Sequence, residues 1–139
     1  MYFIDTNVLS EIRKIKSGKA NQGVIRWLSE INEQQIYTNI VVMMELERGI
    51  LAKERKDPWQ GKILRQWFEN TIKIGFANRI LHLDAKTAQI CATLHIPDHC
   101  PENDAWIAAS AIQYGLTLVT RNTADFSRIG IKLFNPFDE

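Results

Sequence analysis

The amino-acid sequence predicts an α/β fold in which helices flank a mainly parallel central sheet of about five strands. Two patterns carry this. Short apolar runs are separated along the whole chain by longer stretches of helical periodicity, the arrangement of strands joined by crossover helices. One run, Leu116 to Thr120 (LTLVT), is continuously apolar, which suits a parallel strand buried on both faces.

The chain opens MYFIDTNVLSE. Tyr2, Phe3 and Ile4 read as the first strand and Asp5 ends it; Thr6 or Asn7 is expected to cap the first helix, with Glu11 near its positive N-terminal end. A basic, glycine-containing connection from Lys14 to Lys19 leads to a second helix carrying Val24, Ile25, Trp27, Leu28 and Ile31, with Glu30 to Glu33 facing water. Gln35 to Thr38 reads as strand two. The apolar run Ile40 to Met44 then enters ELERGIL (Glu45 to Leu51) as a third helix, apolar on almost every side at its start and therefore expected to be buried there. Lys53 to Lys56 reads as a charged break, after which Pro58 at a first-turn position opens a fourth helix reaching about Phe76.

That fourth helix shows two apolar stripes, Trp59, Ile63, Trp67 and Ile74 beside Leu64, Phe68 and Ile72, wider together than one core contact needs. A second partner surface and a helix sandwiched deep in its own core both account for the width. Arg79 to Leu83 reads as strand three, Asp84 caps a helix through His95, and Pro97 to Pro101 is a loop. A short, nearly all-apolar helix follows from Glu102 to Ala111, stopped by Gly115. After strand four, Arg121 to Phe126 makes a turn or single helical turn, and Ile131 to Phe134 is an edge strand.

The 139 residues, 45% hydrophobic and 24% charged, make one domain spanning 1–139, large enough to bury a core without staples. A net charge of +1 means that nucleic-acid binding would have to rest on a local patch. No apolar run approaches the ~20 residues that cross a bilayer, so no membrane partner and a cytoplasmic location are expected. Cys91 and Cys100 do not make a disulfide framework. Written with His95 and His99 they resemble a zinc set, but Cys91 and His95 continue an apolar stripe with Ala88 and Leu94, and Pro97 ends that helix before the second pair.

Four acids occupy comparable structural places: Asp5 after strand one, Glu45 in an apolar helix, Asp104 opening another, and Asp125 beyond strand four. In an open parallel sheet the carboxyl ends of strands line the ligand crevice. Asp104 shares a helical face with Ile107, Ala108 and Ala111, and an ionised carboxylate there must be paired, protonated or bound to a cation. No lysine or arginine stands beside Asp104 or Glu45 in sequence. Gathered carboxylates suit a hard divalent cation, Mg²⁺ or Mn²⁺, and such ions activate water and stabilise charge developing on a phosphodiester.

DTNVLSE at the start, ELERG in the third helix, END followed by AWIAASA, and LTLVTRNTADF together resemble the PIN-domain ribonucleases. The whole chain is similar to the toxin component of VapBC-type toxin–antitoxin systems, including the FitB-like branch. This resemblance implies a PIN-like three-layer fold and Mg²⁺-dependent endonucleolytic cleavage of RNA, Mn²⁺ substituting. It also implies a VapB-like antitoxin as partner, contact with DNA only through that antitoxin, and a homodimer. Carried over, the acidic set is Asp5, Glu45, Asp104 and Asp125, with Asp5 and Asp104 as metal ligands. Thr6, Asn7, Thr120 and Asn122 match the polar neighbours that orient the carboxylates or the water. Glu47 and Glu102 compete for a place: Glu45 to Gly49 fits the family's acid, leucine, two variable residues and glycine, whereas Glu47 lies on another helical face and Glu102 precedes its helix and serves the positive end.

For the RNA backbone the candidates are Arg13 and Lys14, grouped with Lys16 and Lys19, and Arg48, Arg55 and Lys56, grouped with Lys53, Lys62 and Arg65; Trp59 is placed to stack on a base. A solvated charged face is the alternative for each. His82, His95 and His99 offer no pair for metal-free acid–base cleavage. A haloacid-type phosphatase would need a second Asp where Asn7 stands. The remaining competitor is a catalytically idle PIN-like module that binds RNA or protein.

Overall fold

The computed structural model describes residues 1–139. Five parallel strands, β1 (Tyr2–Ile4), β2 (Ile36–Asn39), β3 (Ile80–Leu81), β4 (Thr117–Val119) and β5 (Leu133–Phe134), form one sheet in the order β3-β2-β1-β4-β5. Tyr2 lies opposite Ile36 on one side and Thr117 on the other, so β1 is central. The chain runs outward from β1 through β2 to β3, then returns to the other side of β1 for β4. Loops leaving β1 and β4 therefore diverge and leave a crevice at their carboxyl ends.

The helices are α1 (Thr6–Ile12), α2 (Gln22–Glu30), α3 (Ile40–Lys56), α4 (Pro58–Trp67), α5 (Lys73–Gly75), α6 (Ala85–Leu94), α7 (Glu102–Gln113) and α8 (Thr123–Phe126). Their apolar faces cover the sheet, and one cluster of 21 buried residues, including Phe3, Ile4, Val8, Val42, Phe68, Ile107 and Leu118, forms the main core. α6 packs on α7, and α3 on α4 and α7.

Several local expectations need correction. Asp5, not Thr6 or Asn7, is the N-cap of α1, its carboxylate accepting the Thr6 N–H at 2.7 Å. Glu11 sits at the opposite end of that short helix, where it accepts the Asn21 N–H at 2.7 Å and Lys14 Nζ at 3.2 Å. Lys53 to Lys56 does not break the chain but forms the last turn of α3, where basic side chains complement the carbonyl end of the helix. The break is Asp57, whose N–H closes α3 on Lys53 O at 2.7 Å while its carboxylate caps α4 at Gln60 N, 3.3 Å away. The start of α3 is buried on one side only: Val41 and Val42 are inside, whereas Ile40 and Met44 are each 39% exposed.

The fourth helix bulges into a π turn at Phe68–Ile72 and then closes as α5. Of its two stripes, Phe68 and Ile72 are buried, while Trp59, Ile63 and Ile74 face solvent. At Gly61 an added Cβ would lie 2.5 Å from Glu54 Cα, so α3 and α4 cross with their backbones touching. Strand three is shorter than expected because β2 turns into α3 after Asn39, opposite Leu81, leaving His82 and Leu83 nothing to pair with. Just before it the buried Arg79 donates to the carbonyls of Glu33, Ile36 and Gly75, tying the end of α5 to β2.

Candidate active site

Asp5 stands at the mouth of the crevice between β1 and β4, only 6% exposed. Besides the Thr6 N–H, it accepts the Thr120 hydroxyl at 2.8 Å and Asn7 Nδ2 at 3.3 Å. Asn7 also donates to Thr120 Oγ1 at 3.2 Å and accepts the Arg121 N–H at 3.0 Å. These bonds fasten the end of β1 to the end of β4. Asp5 is nevertheless pushed above the usual carboxylate range, chiefly by burial and then by the nearby Glu45 charge, against the pull of its hydrogen bonds.

Glu45 reaches the crevice from α3, accepting the Thr6 hydroxyl at 2.5 Å and Asn103 Nδ2 at 3.3 Å. It is thus held between α1 and α7. Asn39 sets the angle between α3 and α7: its side chain caps α3 at Val42 N, 3.0 Å away, and donates to Ser110 Oγ on α7 at 2.9 Å.

Asp104 enters from the first turn of α7, with Ile107, Ala108 and Ala111 buried on the face below it. It is pushed up to about 6, first by burial and then by the charges of Asp5, Asp125 and Glu45. No hydrogen bond and no cation offsets these effects. Asp125, on α8, is exposed at the rim, and its charge reaches Asp104. The crevice therefore concentrates negative charge that the protein itself leaves uncompensated.

The other predicted residues divide. Thr6, Asn7 and Thr120 are in the network. Asn122 joins it only through its backbone N–H, which donates to Thr120 Oγ1 at 3.1 Å, while the residue itself is exposed. Glu47 points elsewhere, to Arg65 Nη2 at 2.5 Å. Glu102 is exposed on the first turn of α7, 3.3 Å from His95 Nε2. Asn103 and Asn39 are unassigned in the sequence reading; Asn103 stands inside the END motif, and Asn39 carries the signature of a cap before an apolar run.

Among the basic candidates, Arg13 lines a groove of about 320 Å³ with Thr6, Glu45, Ile50, Leu64 and Trp67. Lys14 is paired with Glu11, and Arg48, Arg55 and Lys56 lie exposed along α3. Arg65 leaves the list, since Glu47, Glu54 and Glu69 occupy it. The zinc-like set is not a site. Cys91 and Cys100 pack with Ala105 and Ala109, and Ala88 is exposed rather than part of a buried stripe. His95 Nδ1 accepts the Cys100 N–H at 3.1 Å, so that nitrogen is used within the loop.

The family model described as "PIN domain" matches residues 2–132. Toxin FitB of Neisseria gonorrhoeae is 31% identical over 100% of both chains. VapC ribonuclease Y4jK of Sinorhizobium fredii is 26% identical over 99% of both. The crystal structure of FitAcB from Neisseria gonorrhoeae superposes with a TM-score of 0.86 at 30% identity, covering 98% of each chain.

Proposed function

The chain belongs to the PIN domain family, and from that premise we propose that it is a divalent-metal-dependent endoribonuclease acting as the toxin of a toxin–antitoxin pair. The observation that carries the metal-dependent reading is Asp104, a carboxylate without hydrogen bond or cation, set among Asp5, Glu45 and Asp125. The donor set is oxygen only, which suits Mg²⁺ with Mn²⁺ as substitute. Asp5 and Asp104 would hold the ion, Glu45 standing beside them. When bound, the cation supplies Lewis-acid polarisation of the phosphodiester and lowers the pKa of water.

The chain's own residues do the positioning. Thr120 and Asn7 fix the Asp5 oxygens, Thr6 and Asn103 fix Glu45, and Asp125 adds a carboxylate at the open side, where an RNA strand and water enter. Incubating wild type with single-stranded RNA should give 5′-phosphate and 3′-hydroxyl ends with Mg²⁺ and no cleavage with EDTA. Cleavage that persists in EDTA, or 2′,3′-cyclic phosphate ends, defeats the reading.

The partner reading starts from the relative named a toxin. The groove between α1, α3 and α4 runs from Thr6 and Glu45 to Leu64 and Trp67. An antitoxin segment laid there would cover apolar side chains and reach the carboxylates with a basic one. The exposed Ile63 and Trp59 continue that surface and suit the antitoxin or the second protomer of a homodimer; DNA would be met only through the antitoxin. Trp67→Ala should weaken antitoxin binding in a pull-down of folded protein, and unchanged binding and dimerisation would reject this surface.

A further inference from the structure

We propose that Arg121 is the side chain by which the crevice holds the RNA backbone next to the cleaved bond, and that Glu139 competes with RNA for it; the proposal rests on the ribonuclease reading. A crevice of four carboxylates repels a polyanion; the metal ion of the proposed function would offset this at the cleaved bond, and a protein cation beside it would hold the flanking phosphate. Arg13 lines the groove that leads away from Thr6 and Glu45 toward Leu64 and Trp67, and the other cations are less well placed. Arg65 and Lys14 are occupied by carboxylates, Arg79 is buried on backbone carbonyls, and Arg48, Arg55 and Lys56 project from an exposed helix face.

Arg121 is different because its backbone belongs to the site. It directly follows Thr120, which bonds to Asp5, and its N–H donates at 3.0 Å to Asn7, which also bonds to Asp5. Its guanidinium lies over the Phe137 ring, 4.7 Å from the centroid, and Nε donates to Glu139. The Nη groups make no hydrogen bond within the protein, and the side chain is 51% exposed. Two terminal nitrogens of a planar, stacked guanidinium offer the end-on fork that a phosphate accepts.

The platform under Arg121 is itself anchored. Phe137 is 8% exposed, and the neighbouring Asp138 exchanges two hydrogen bonds with Asn21, at 2.9 and 3.0 Å. Arg26 pairs with the Asp138 carboxylate at 2.9 Å. Gly23 admits this segment, because a Cβ there would come within 2.3 Å of Pro136 O. The ring is therefore fixed relative to α2, and the guanidinium lies over that ring, while the Arg121 backbone is tied to the crevice through Asn7. Glu139 is the anion hydrogen-bonded to Arg121, beside the more distant Glu11 charge, and it partly cancels the charge that RNA would meet.

The experiment measures two things on the full chain: cleavage of a single-stranded RNA 12-mer with Mg²⁺, and binding of the same labelled RNA in EDTA across a salt series. For Arg121→Ala we expect roughly tenfold weaker binding at about 0.1 M salt and a salt slope smaller by about one contact. Arg121→Lys should recover most of the slope but not all of the affinity, and Glu139→Gln should bind a few-fold more tightly than wild type. Thermal melts establish that each variant is folded. Equal affinity and slope for wild type and folded Arg121→Ala overturn the proposal, as does weaker binding by Glu139→Gln. If wild type fails to cleave, the nuclease reading falls, while the binding series still decides whether Arg121 contacts the RNA.

Discussion

Two places in this molecule bring carboxylates together on neighbouring helices, and they settle the repulsion in opposite ways. On the outer side of α3 and α4, Glu47, Glu54 and Glu69 converge on Arg65, and Glu47 and Glu69 are held below their ordinary range by that guanidinium and, for Glu69, foremost by Lys73. On the inner side, Asp5, Glu45 and Asp104 converge with no cation, and Asp5 and Asp104 are raised. Glu45 and Glu47 are two residues apart on one helix, yet each belongs to a different cluster. One cluster has an arginine of its own, and the other has no cation supplied by the chain.

The sharpest way to break this comparison is to remove one charge from each side. Asp104→Asn should lower RNA cleavage by roughly a hundredfold or more, while raising the melting temperature in EDTA and shrinking the further rise on adding Mg²⁺. Glu45→Gln should lose cleavage to a similar degree, whereas Glu47→Gln should cleave at nearly the wild-type rate. If the two glutamate variants behave alike, the division between the clusters is wrong.

Arg65→Ala should act on stability. Leaving three carboxylates facing one another on a partly exposed surface should cost about 1–2 kcal/mol, or a drop of several degrees in melting temperature for a chain this size. A thermal melt with and without Mg²⁺ reads this directly, and the Mg²⁺ shift should survive intact.

The pH dependence of stability in EDTA should separate the clusters further. Asp104 titrates at about 6 when folded against an ordinary 3.8, so between about pH 4 and pH 6 the folded state binds more protons than the unfolded one and stability falls as pH rises. Glu47 and Glu69 have depressed pKa values, so their contribution is present above about pH 4.5 and is lost as pH falls below it. Asp104→Asn should weaken the first limb, to which Asp5 also contributes, and Arg65→Ala the second, of which Lys73 retains the Glu69 part, as followed by urea unfolding at each pH. The smallest effect expected is that of Asn103→Ala, a few-fold loss of cleavage from freeing one Glu45 oxygen.

What the sequence made visible was local. Apolar runs and caps located all five strands and the longer helices, because Asp84, Pro58 and the LTLVT run act through neighbours a few residues away. The charged stretch Lys53 to Lys56 misled because lysine and arginine are good helix formers, and the stop depends on the Asp57–Pro58 pair that follows. The burial of one side of α3 depends on which helix lies beside it. Asp5 and Asp104 were suggested by their positions at element ends. The Thr6–Glu45 and Asn39–Ser110 bonds join residues 39 and 71 positions apart, and nothing in either neighbourhood announces the partner. Arg65 looked like any other member of a basic group until its three partners on α3 and the π turn were in place.

The strand order has a consequence for the chain while it is being made. β1 and β2 emerge early, but the other edge of β1 stays open until Thr117–Val119 arrives to pair with it. Synthesis proceeds at roughly 5–20 residues per second, so the roughly seventy residues between Glu45 and β4 take several seconds. For most of that time Asp5 and Glu45 lack Asp104, and for all of it they lack Thr120 and the far wall of the crevice. A ribosome therefore carries an incomplete site, together with an unpaired central strand edge that invites association with other chains. The crevice closes only in the last part of translation.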